Sequence, residues 1–549
     1  MSGESQVLIV GAGPSGLVLA LTLLKNGISV KIIDKSDTIP LGARGAGISP
    51  RTLELYKILG VLPDIEREGS SVAISMKFYQ SPEGDAPIKD GPFIEWVEDR
   101  PEYYRINAMI LGQEDHMKTL VDILNRDYGV SVEYGTELTS FENHDDHVVA
   151  HISKGGQVEV VKFPWIVGAE GARSVIRKQA GLTFLGDTYG GNTLVIGDIE
   201  VTKGLEDKKP AVKIWGSYGD RLLCLRPYRK DGKDFYWFAL GGAKLDSEKA
   251  ASGRDGLLDS FYDIIGKRYI EFGNLRNLAS WIANVRMVDS FSKGRAFVVG
   301  DAAHVHSPTG GQGLTSGVQD SINLGWKLAL VVRGLAPQDL VNSFSSERLP
   351  IIATMLDKTT QLMNKTFQRS SENNMGAWVR DWELKQFGIN YRGSSVVVDE
   401  RFTDPKEPVD PYRSGHDGSA HAGDRAPYAP GLILSGDGKT CGLYDLFDIK
   451  SHTILVFSRP GFPLVDGVQG VLSEFDRELV RGVVILPQGT GSSEVSSSQS
   501  LVDAEGYAYK HYKVSQDEEL VVVVRPDGYI GAVVKGTRGL RSYLSKIFL

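Results

Sequence analysis

The residues with the clearest chemical potential form a glycine-rich run near the start of the chain. The run follows a short apolar stretch of β-formers at residues 6–10 and precedes a stretch of helical composition at residues 17–25. Glycines at this spacing allow a tight turn, a close approach of the backbone to a pyrophosphate, and close packing of helix on strand. The N-terminus of the helix would supply free N–H groups and a partial positive charge to the phosphates. Phosphate binding is therefore predicted for Gly11, Gly13, Pro14, Ser15 and Gly16.

A second strand signal at residues 30–33 leads into Asp34 and Lys35. A carboxylate at the end of this strand can accept hydrogen bonds from an adenosine ribose, so Asp34 and Lys35 are predicted to contact a cofactor. The alternative is a chance glycine-rich turn. The order of strand, glycine-rich turn, helix, second strand and acidic residue favours a dinucleotide site. It leaves open whether the dinucleotide is NAD or FAD.

Two further motifs lie downstream, GAEGARS at residues 168–174 and GDAAHVHSPTGGQGLTSGVQD at residues 300–320. Together with GAGPSG, and in this order, they resemble the single-component FAD-dependent aromatic hydroxylases. That family includes p-hydroxybenzoate hydroxylase and phenol 2-monooxygenase. The resemblance covers roughly residues 5–350 and implies that the dinucleotide is FAD, with NAD(P)H as a transient co-substrate.

The resemblance implies roles around the flavin for residues of this sequence. Asp301 would bind the ribityl chain, and a helix start would bring backbone N–H groups to the flavin ring at Gly311, Gly313, Leu314 and Thr315. Further cofactor contacts are implied for Arg44, Gln113 and Arg173. The alternatives are a solvated loop charge for Arg44 and a polar helix-start residue for Gln113. Glu170 stands where the family usually has Asp, so the nicotinamide side departs from the pattern.

On the substrate side, Pro308 and Thr309 fall where the family has residues facing the substrate. Tyr236 resembles the tyrosine of phenol-hydroxylase relatives that hydrogen-bonds the substrate hydroxyl, and we expect it to hold and activate that group. Plain core packing is the alternative. Relatives carry an Asp where Ala46 stands here, so a different ring is expected as substrate. The histidines of the third motif are expected to pack at the strand-to-helix turn.

The elements that must position these residues indicate an α/β fold. Strand signals that lead into glycine-rich turns occur at residues 6–10, 163–167 and 296–299, with alternating strand patterns between them. We predict a Rossmann-like FAD-binding domain with an inserted β-rich substrate domain, in the segments 1–75, 105–180 and 285–350 for the first and 76–104 and 181–284 for the second. A helical segment at 351–390 and a linker at 391–425 follow.

The remaining residues, 426–549, resemble the thioredoxin-like domain that follows the catalytic part of phenol 2-monooxygenases. Asp527-Gly528, between two apolar runs, predicts a hairpin turn. A thioredoxin needs a CxxC motif, and only Cys441 is present here. We therefore expect this domain to be redox-inactive and to serve packing or oligomer contacts.

Composition limits the remaining choices. A chain of 549 residues requires several domains, and a net charge of −8 without Lys/Arg-rich runs argues against nucleic acid as a partner. The two cysteines indicate neither a disulfide framework nor a metal site. Apolar stretches are too short for a membrane span, and the start of the chain has no signal-peptide pattern, so a cytoplasmic location is expected.

The sequence thus predicts an FAD-dependent monooxygenase that uses NAD(P)H and O2 to hydroxylate a phenolic aromatic compound. The resemblance implies a flavin C4a-hydroperoxide as the oxygen donor, with ipso attack and decarboxylation of a hydroxybenzoate as a variant. Two other classes stay open: a flavin oxidase or dehydrogenase without oxygen transfer, and a non-catalytic dinucleotide-binding regulator. A homo-oligomer is compatible with the sequence.

Overall fold

The computed structural model describes residues 5–82, 86–205, 210–307, 311–366, 382–402, 409–414, 420–434, 438–459, 463–490 and 500–549. Within these ranges, no helix combines the length and apolar character that crossing a bilayer requires.

The first third of the chain alternates short strands and helices. In chain order the elements are β1 (Val7–Val10), α1 (Pro14–Lys25), β2 (Val30–Ile33), β3 (Gly47–Ile48), α2 (Pro50–Leu59), α3 (Leu62–Glu68), β4 (Ile74–Tyr79), β5 (Pro87–Ile94), β6 (Met109–Ile110), α4 (Gln113–Tyr128), β7 (Thr136–Asn143), β8 (Val148–Lys154), β9 (Gln157–Phe163), β10 (Trp165–Gly168) and α5 (Val175–Gln179).

The middle of the chain contains the longest strands and helices. Its elements are β11 (Phe184–Lys203), β12 (Ala211–Gly216), β13 (Leu222–Lys230), β14 (Lys233–Gly241), α6 (Ser247–Ala251), α7 (Arg254–Ile265), β15 (Glu271–Val288), β16 (Ser292–Lys293), β17 (Ala296–Val298), β18 (His304–Val305), α8 (Gly313–Val332) and α9 (Asp339–Thr366).

The last part returns to short strands. Its elements are β19 (Val398–Asp399), β20 (Leu432–Leu434), β21 (Thr440–Cys441), β22 (His452–Phe457), α10 (Pro463–Leu472), β23 (Val480–Leu486), β24 (Ser500–Asp503), α11 (Tyr507–His511), β25 (Leu520–Val524), β26 (Ile530–Val534) and α12 (Thr537–Ile547).

The first sheet has the order β16-β17-β10-β1-β2, and its four strands β17, β10, β1 and β2 are parallel. Strands β1, β10 and β17 are short apolar runs buried along their whole length, as expected when helices cover both faces of a parallel sheet. The carboxyl ends of parallel strands meet at one edge, where ligands bind in folds of this kind. The loops that begin at residues 11, 34, 169 and 299 therefore share that edge.

The second sheet has the order β18-β15-β11-β14-β13-β12-β4-β5, with most of its strands inserted between β10 and β17. One face packs against α7 through Phe238 and Leu240. The opposite face carries Met76, Ile214 and Ala239 in a separate cluster. The alternation of side chains along each strand produces these two faces.

The C-terminal sheet has the order β19-β26-β25-β22-β23-β24-β20-β21. Its centre combines a parallel β22–β23 pair, which α10 connects, with the antiparallel strands β25 and β26, as in a thioredoxin. Cys441 lies in the edge strand β21. The predicted hairpin is confirmed: β25 and β26 are antiparallel, and Gly528 between them has φ +71°.

Two details differ from the sequence-based expectation. The helix at the predicted segment 351–390 begins earlier than expected, since α9 starts at Asp339, and residues 367–381 of that segment lie outside the described part of the chain. The predicted linker contributes β19, which pairs with β26, and its Arg392 forms an ion pair with Asp424 at 2.7 Å. The Gly, Pro, Asp and Ser content of this segment removes regular periodicity, whereas the β19–β26 pairing holds Val398 and Asp399 in the C-terminal sheet.

Candidate functional site

The glycine-rich loop between β1 and α1 has the geometry of a phosphate cradle. Gly13 is the N-cap of α1 and supplies no side-chain cap, and Pro14 is the first helical residue. The N–H groups of this helix end are therefore available to an anion. A Cβ on Gly11 would overlap the carbonyl of Ala169, and one on Gly16 would overlap the carbonyl of Gly11. The loop is as compact as a pyrophosphate site requires.

Asp34 stands at the end of β2 and organises this loop. Its Oδ2 accepts a hydrogen bond from the amide of Ala12 at 2.8 Å, and its Oδ1 accepts one from Ser36 at 2.8 Å. The carboxylate is half-buried and retains acceptor capacity towards a ribose, while Lys35 is exposed. Asp34 thus ties the strand end to the phosphate loop.

The first and third sequence motifs meet at Ser15. A Cβ at Gly300 or at Gly317 would overlap Ser15 Oγ, and Ser321 Oγ donates to the Ser15 carbonyl at 2.8 Å. Gly300 begins a 3₁₀ turn that presents Asp301 as an exposed carboxylate. The fold therefore brings Asp301 to the phosphate loop from almost three hundred residues away.

The start of α8 forms a second uncapped helix N-terminus. Gln312 is its N-cap and provides no side-chain cap, Gly311 has φ +63°, Leu314 is half-buried and Thr315 is buried. A Cβ on Gly313 would lie 2.8 Å from His306 Nε2. Pro308 and Thr309, predicted to face the substrate, lie outside the described residues.

His304 and His306 occupy the turn between β17 and α8, as expected. His306 Nδ1 donates to the Ser307 carbonyl at 2.6 Å, and burial lowers the pKa of His306. His304 is fully buried, and its Nε2 lies 2.7 Å from Asp320 Oδ2.

The loop that carries Arg44 is held from two sides. Glu114 accepts from the Gly42 amide at 2.8 Å, Asp198 accepts from the Ala43 amide at 3.1 Å, and Arg226 donates to the Arg44 carbonyl at 3.1 Å. Arg44 is exposed, with φ +39°. The substrate-domain sheet therefore touches the loop directly.

The other predicted contact beside this loop is Gln113, the first residue of α4. Its amide donates to the Ala43 carbonyl at 3.0 Å, and its side-chain Nε2 lies 3.8 Å from Met117 Sδ.

The sheet face that meets this loop is defined by cross-strand neighbours. Trp237 stands opposite Asp198 on one side and Arg226 on the other, and the Arg226 guanidinium lies 4.8 Å from the Trp237 ring centre. Burial raises the pKa of Asp198, and the Ala43 amide acts against that effect. Asp198, Arg226 and Glu114 belong to no sequence motif, and only the packing of loop on sheet reveals them.

Tyr236 lies on the opposite face of β14. Its hydroxyl donates to the Leu205 carbonyl at 3.0 Å, its side chain packs with Phe238 in the cluster against α7, and burial raises its pKa to about 12. This placement differs from the substrate-facing position expected for Tyr236, because consecutive strand residues point to opposite faces. Trp237 takes the side towards the loop.

The second motif ends β10 at the same edge. Arg173 is exposed, as a group that meets a transient ligand would be. Glu170 Oε1 accepts from Ser174 Oγ at 2.7 Å and from the Ile176 amide at 2.9 Å, so it caps α5. Burial raises the pKa of Glu170.

These features fit FAD. Two uncapped helix N-termini, a glycine cradle that side chains would fill, and the exposed Asp301 stand at one edge of a parallel sheet. Comparison with known proteins agrees: a family model for the FAD binding domain matches residues 4–359. The chain belongs to the family of flavin-dependent aromatic monooxygenases. The predicted family, enzyme class and FAD cofactor are thereby confirmed.

Relatives extend along almost the whole chain. This chain is 31% identical to a flavin-dependent monooxygenase of Mycobacteroides abscessus, and the match covers 98% of this chain and 99% of the relative. It is 27% identical to the pentachlorophenol 4-monooxygenase of Sphingobium chlorophenolicum, over 98% and 95%. A model for the C-terminal dimerisation domain of phenol hydroxylase matches residues 489–549.

Solved structures confirm the predicted fold class. The flavin-dependent monooxygenase PieE, in complex with FAD and substrate, superimposes with a TM-score of 0.82 at 20% identity, covering 99% of each chain. Aklavinone-11 hydroxylase, with FAD and aklavinone, gives a TM-score of 0.78 at 22% identity, covering 100% of this chain and 99% of that one.

Proposed function

We propose that this monooxygenase uses NAD(P)H and O2 to hydroxylate a phenolic ring. Relatives named for action on such rings support this, among them the pentachlorophenol 4-monooxygenase. The observation that carries the proposal is the Arg226–Trp237 pair, an aromatic surface with a cation on the sheet face that meets the loop carrying Arg44. Hydroxylation needs an electron-rich ring, and a cation beside the hydroxyl favours the phenolate over the phenol.

The protein chain binds FAD and the substrate, orients the substrate ring and shields it from water, while FAD supplies the redox chemistry. FAD is held by the residues already predicted: Gly11, Gly13, Pro14, Ser15, Gly16, Asp34, Lys35, Arg44, Gln113, Asp301, Gly311, Gly313, Leu314 and Thr315. NAD(P)H approaches Arg173, whose side chain is exposed at the same sheet edge. Trp237 stacks on the ring and Arg226 holds its oxygen. The sheet lying on the loop excludes water from the reacting ring.

The experiment is a panel of phenols tested for stimulation of NAD(P)H oxidation, with ¹⁸O₂ and mass spectrometry of the products. We expect one ¹⁸O atom in the product of an active phenol. Oxidised product without ¹⁸O would identify an oxidase or dehydrogenase. FAD binding without turnover on any ring would identify a regulator, and released CO2 would reveal ipso attack on a hydroxybenzoate.

Two substitutions on neighbouring strands test the two faces of the sheet independently. Arg226→Met should slow hydroxylation by roughly 10²-fold or more, since it removes the charge facing the developing oxyanion. Tyr236→Phe should keep the wild-type rate and coupling while losing about 1 kcal/mol of stability with its hydrogen bond to Leu205. A Phe variant that diverts electrons to H2O2 would instead assign Tyr236 to the substrate.

We also propose a cytoplasmic homo-oligomer. The match of residues 489–549 to a dimerisation domain supports self-association, and the location of the two cysteines in different sheets suits a reducing compartment. Light scattering of the purified protein tests the oligomer, and a monomer at micromolar concentration would contradict it.

A further inference from the structure

The turn that presents Asp301 is held by one buried carboxylate. Asp320 Oδ2 accepts from the Gly300 amide at 3.0 Å and lies 2.7 Å from His304 Nε2. The side chains of Asp320 and His304 are both completely buried. One oxygen of Asp320 therefore fixes both ends of the segment between Gly300 and His304, and with it the position of Asp301.

The other oxygen of Asp320 is bound by a helix that takes no part in the cofactor edge. Arg348 of α9 donates from Nε to Asp320 Oδ1 at 2.7 Å and from Nη2 to the Ser316 carbonyl at 3.3 Å. Burial acts to raise the pKa of Asp320, but Arg348 and His304 hold it below the usual value. Asp320 is thus a buried carboxylate that depends on Arg348 to remain charged.

The residue next to Arg348 is bound by the C-terminal domain. Glu347 accepts two hydrogen bonds from Arg525 at 2.8 and 2.9 Å, and it also accepts from Lys327 at 2.7 Å and from Asn323 at 2.7 Å. The side chains of Glu347, Arg525 and Lys327 are all fully buried. Arg525 lies directly after β25, so the C-terminal hairpin fixes α9 at the turn from which Arg348 reaches Asp320.

A second link runs through aromatic side chains. Arg348 Nη1 donates to the Tyr391 hydroxyl at 3.2 Å, and the Tyr391 ring lies 4.3 Å from that of Tyr529 in the hairpin. Asp527 of the same hairpin accepts from the Trp326 indole of α8 at 3.2 Å. The hairpin therefore contacts both helices, α8 and α9, that carry the pair of Asp320 and Arg348.

We propose that the C-terminal domain is a structural part of the FAD site, and that Arg525, Arg348 and Asp320 are positioning residues for the cofactor. Arg525 anchors Glu347, the adjacent Arg348 is thereby aimed at Asp320, and Asp320 holds the turn of Asp301. Removal of one partner of a buried ion pair leaves an uncompensated charge, so loss of Arg525 would displace Glu347 and with it the adjacent Arg348. The charged groups balance, with Asp320, Glu347 and Asp527 against Arg348, Arg525 and Lys327.

The test is a double-mutant cycle on FAD affinity, with the dissociation constant measured by quenching of flavin fluorescence at a temperature well below unfolding. Arg525→Met should weaken FAD binding by about tenfold, and Arg525→Lys should restore part of the affinity. The matched control is Arg541→Met, in the same domain, whose partner Glu474 is exposed. It should bind FAD as the wild type does.

Combining the Arg525 and Asp320 substitutions distinguishes a positioning role of Arg525 from a general loss of stability. Because Arg525 acts through Asp320, the Asp320→Asn/Arg525→Met double variant should bind FAD no more weakly than Asp320→Asn alone. Independent, multiplicative effects would overturn the proposal. If Arg525→Met does not fold, Tyr391→Phe takes its place in the cycle, because it removes a hydrogen bond to Arg348 without uncovering a charge. It should weaken binding by about threefold, and an unchanged affinity or additive effects would again overturn the link.

Discussion

At the scale of single residues, the glycines of the phosphate loop serve different purposes. Gly11 has φ +103°, and a Cβ there would overlap the Ala169 carbonyl, so the protein itself requires this glycine. Gly13 has φ −69°, and a Cβ there would meet no atom within 4 Å. The protein itself has room for a side chain at Gly13. Such a side chain would clash only with a ligand that lies close to the backbone there.

We therefore expect Gly13→Ala to keep the free energy of unfolding within about 1 kcal/mol of wild type, since it alters only a helix N-cap. FAD affinity should fall at least about tenfold. Gly11→Ala should lose about 2 kcal/mol or more of stability, through strain and overlap. Urea unfolding of the FAD-free protein and fluorescence titration with FAD measure the two effects. A Gly13→Ala protein with wild-type affinity would place the pyrophosphate elsewhere.

At the scale of elements, the loop between β2 and α2 depends on the sheet of the substrate domain. Gly42 has φ +105°, and a Cβ there would overlap Asp198 Oδ2, whereas a Cβ on Gly45 would meet no atom within 4 Å. Gly42→Ala should destabilise the protein by about 1–3 kcal/mol and weaken FAD binding, because the loop must leave the sheet. Gly45→Ala, three residues away, should stay within about 0.5 kcal/mol. Equal unfolding midpoints for the two variants would show that loop and sheet are not in contact.

At the scale of the whole molecule, the buried ion pairs of Glu347 with Arg525 and Lys327 predict how the free energy of unfolding depends on pH. Burial alone would raise the pKa of Glu347, but Arg525 and Lys327 lower it below its ordinary value. A carboxyl whose folded pKa is depressed contributes stability that is complete above its unfolded pKa, about 4.3, and that is lost as pH falls below it. Stability should therefore decline from about pH 5 downwards.

Glu347→Gln should be less stable at pH 7 and should lose stability less steeply between about pH 5 and 3, since the titrating group is gone. Glu474→Gln, which removes an exposed carboxyl, should follow the wild-type curve. Denaturant unfolding across this pH range measures both. Parallel curves for the wild type and the Glu347 variant would show that Glu347 contributes nothing to acid sensitivity.

The amino-acid sequence predicted a dinucleotide site from its motifs, and the family that these motifs resemble predicted FAD. The information behind these predictions is local: a GxGxxG run between a strand and a helix, an acidic residue at the end of the second strand, and two further motifs that follow strand ends. Such features depend on neighbours within a few residues, and the structure brings Gly11, Ser15 and Asp301 together at one edge of the sheet. The alternating strands and the Asp527-Gly528 turn were local signals of the same kind.

Contacts between residues far apart in the chain could be found only in the folded structure. Alternation along β14 predicts two faces, but not which one meets the loop that carries Gly42 and Arg44. The packing of Asp198 on Gly42 gives that face to Trp237 and turns Tyr236 towards α7. The partnership of Arg525 with Glu347 joins residues 178 positions apart. A buried charge has no local signature in sequence, because its partner is selected by the folded core, and the burial that makes the pair strong exists only once the domains have packed.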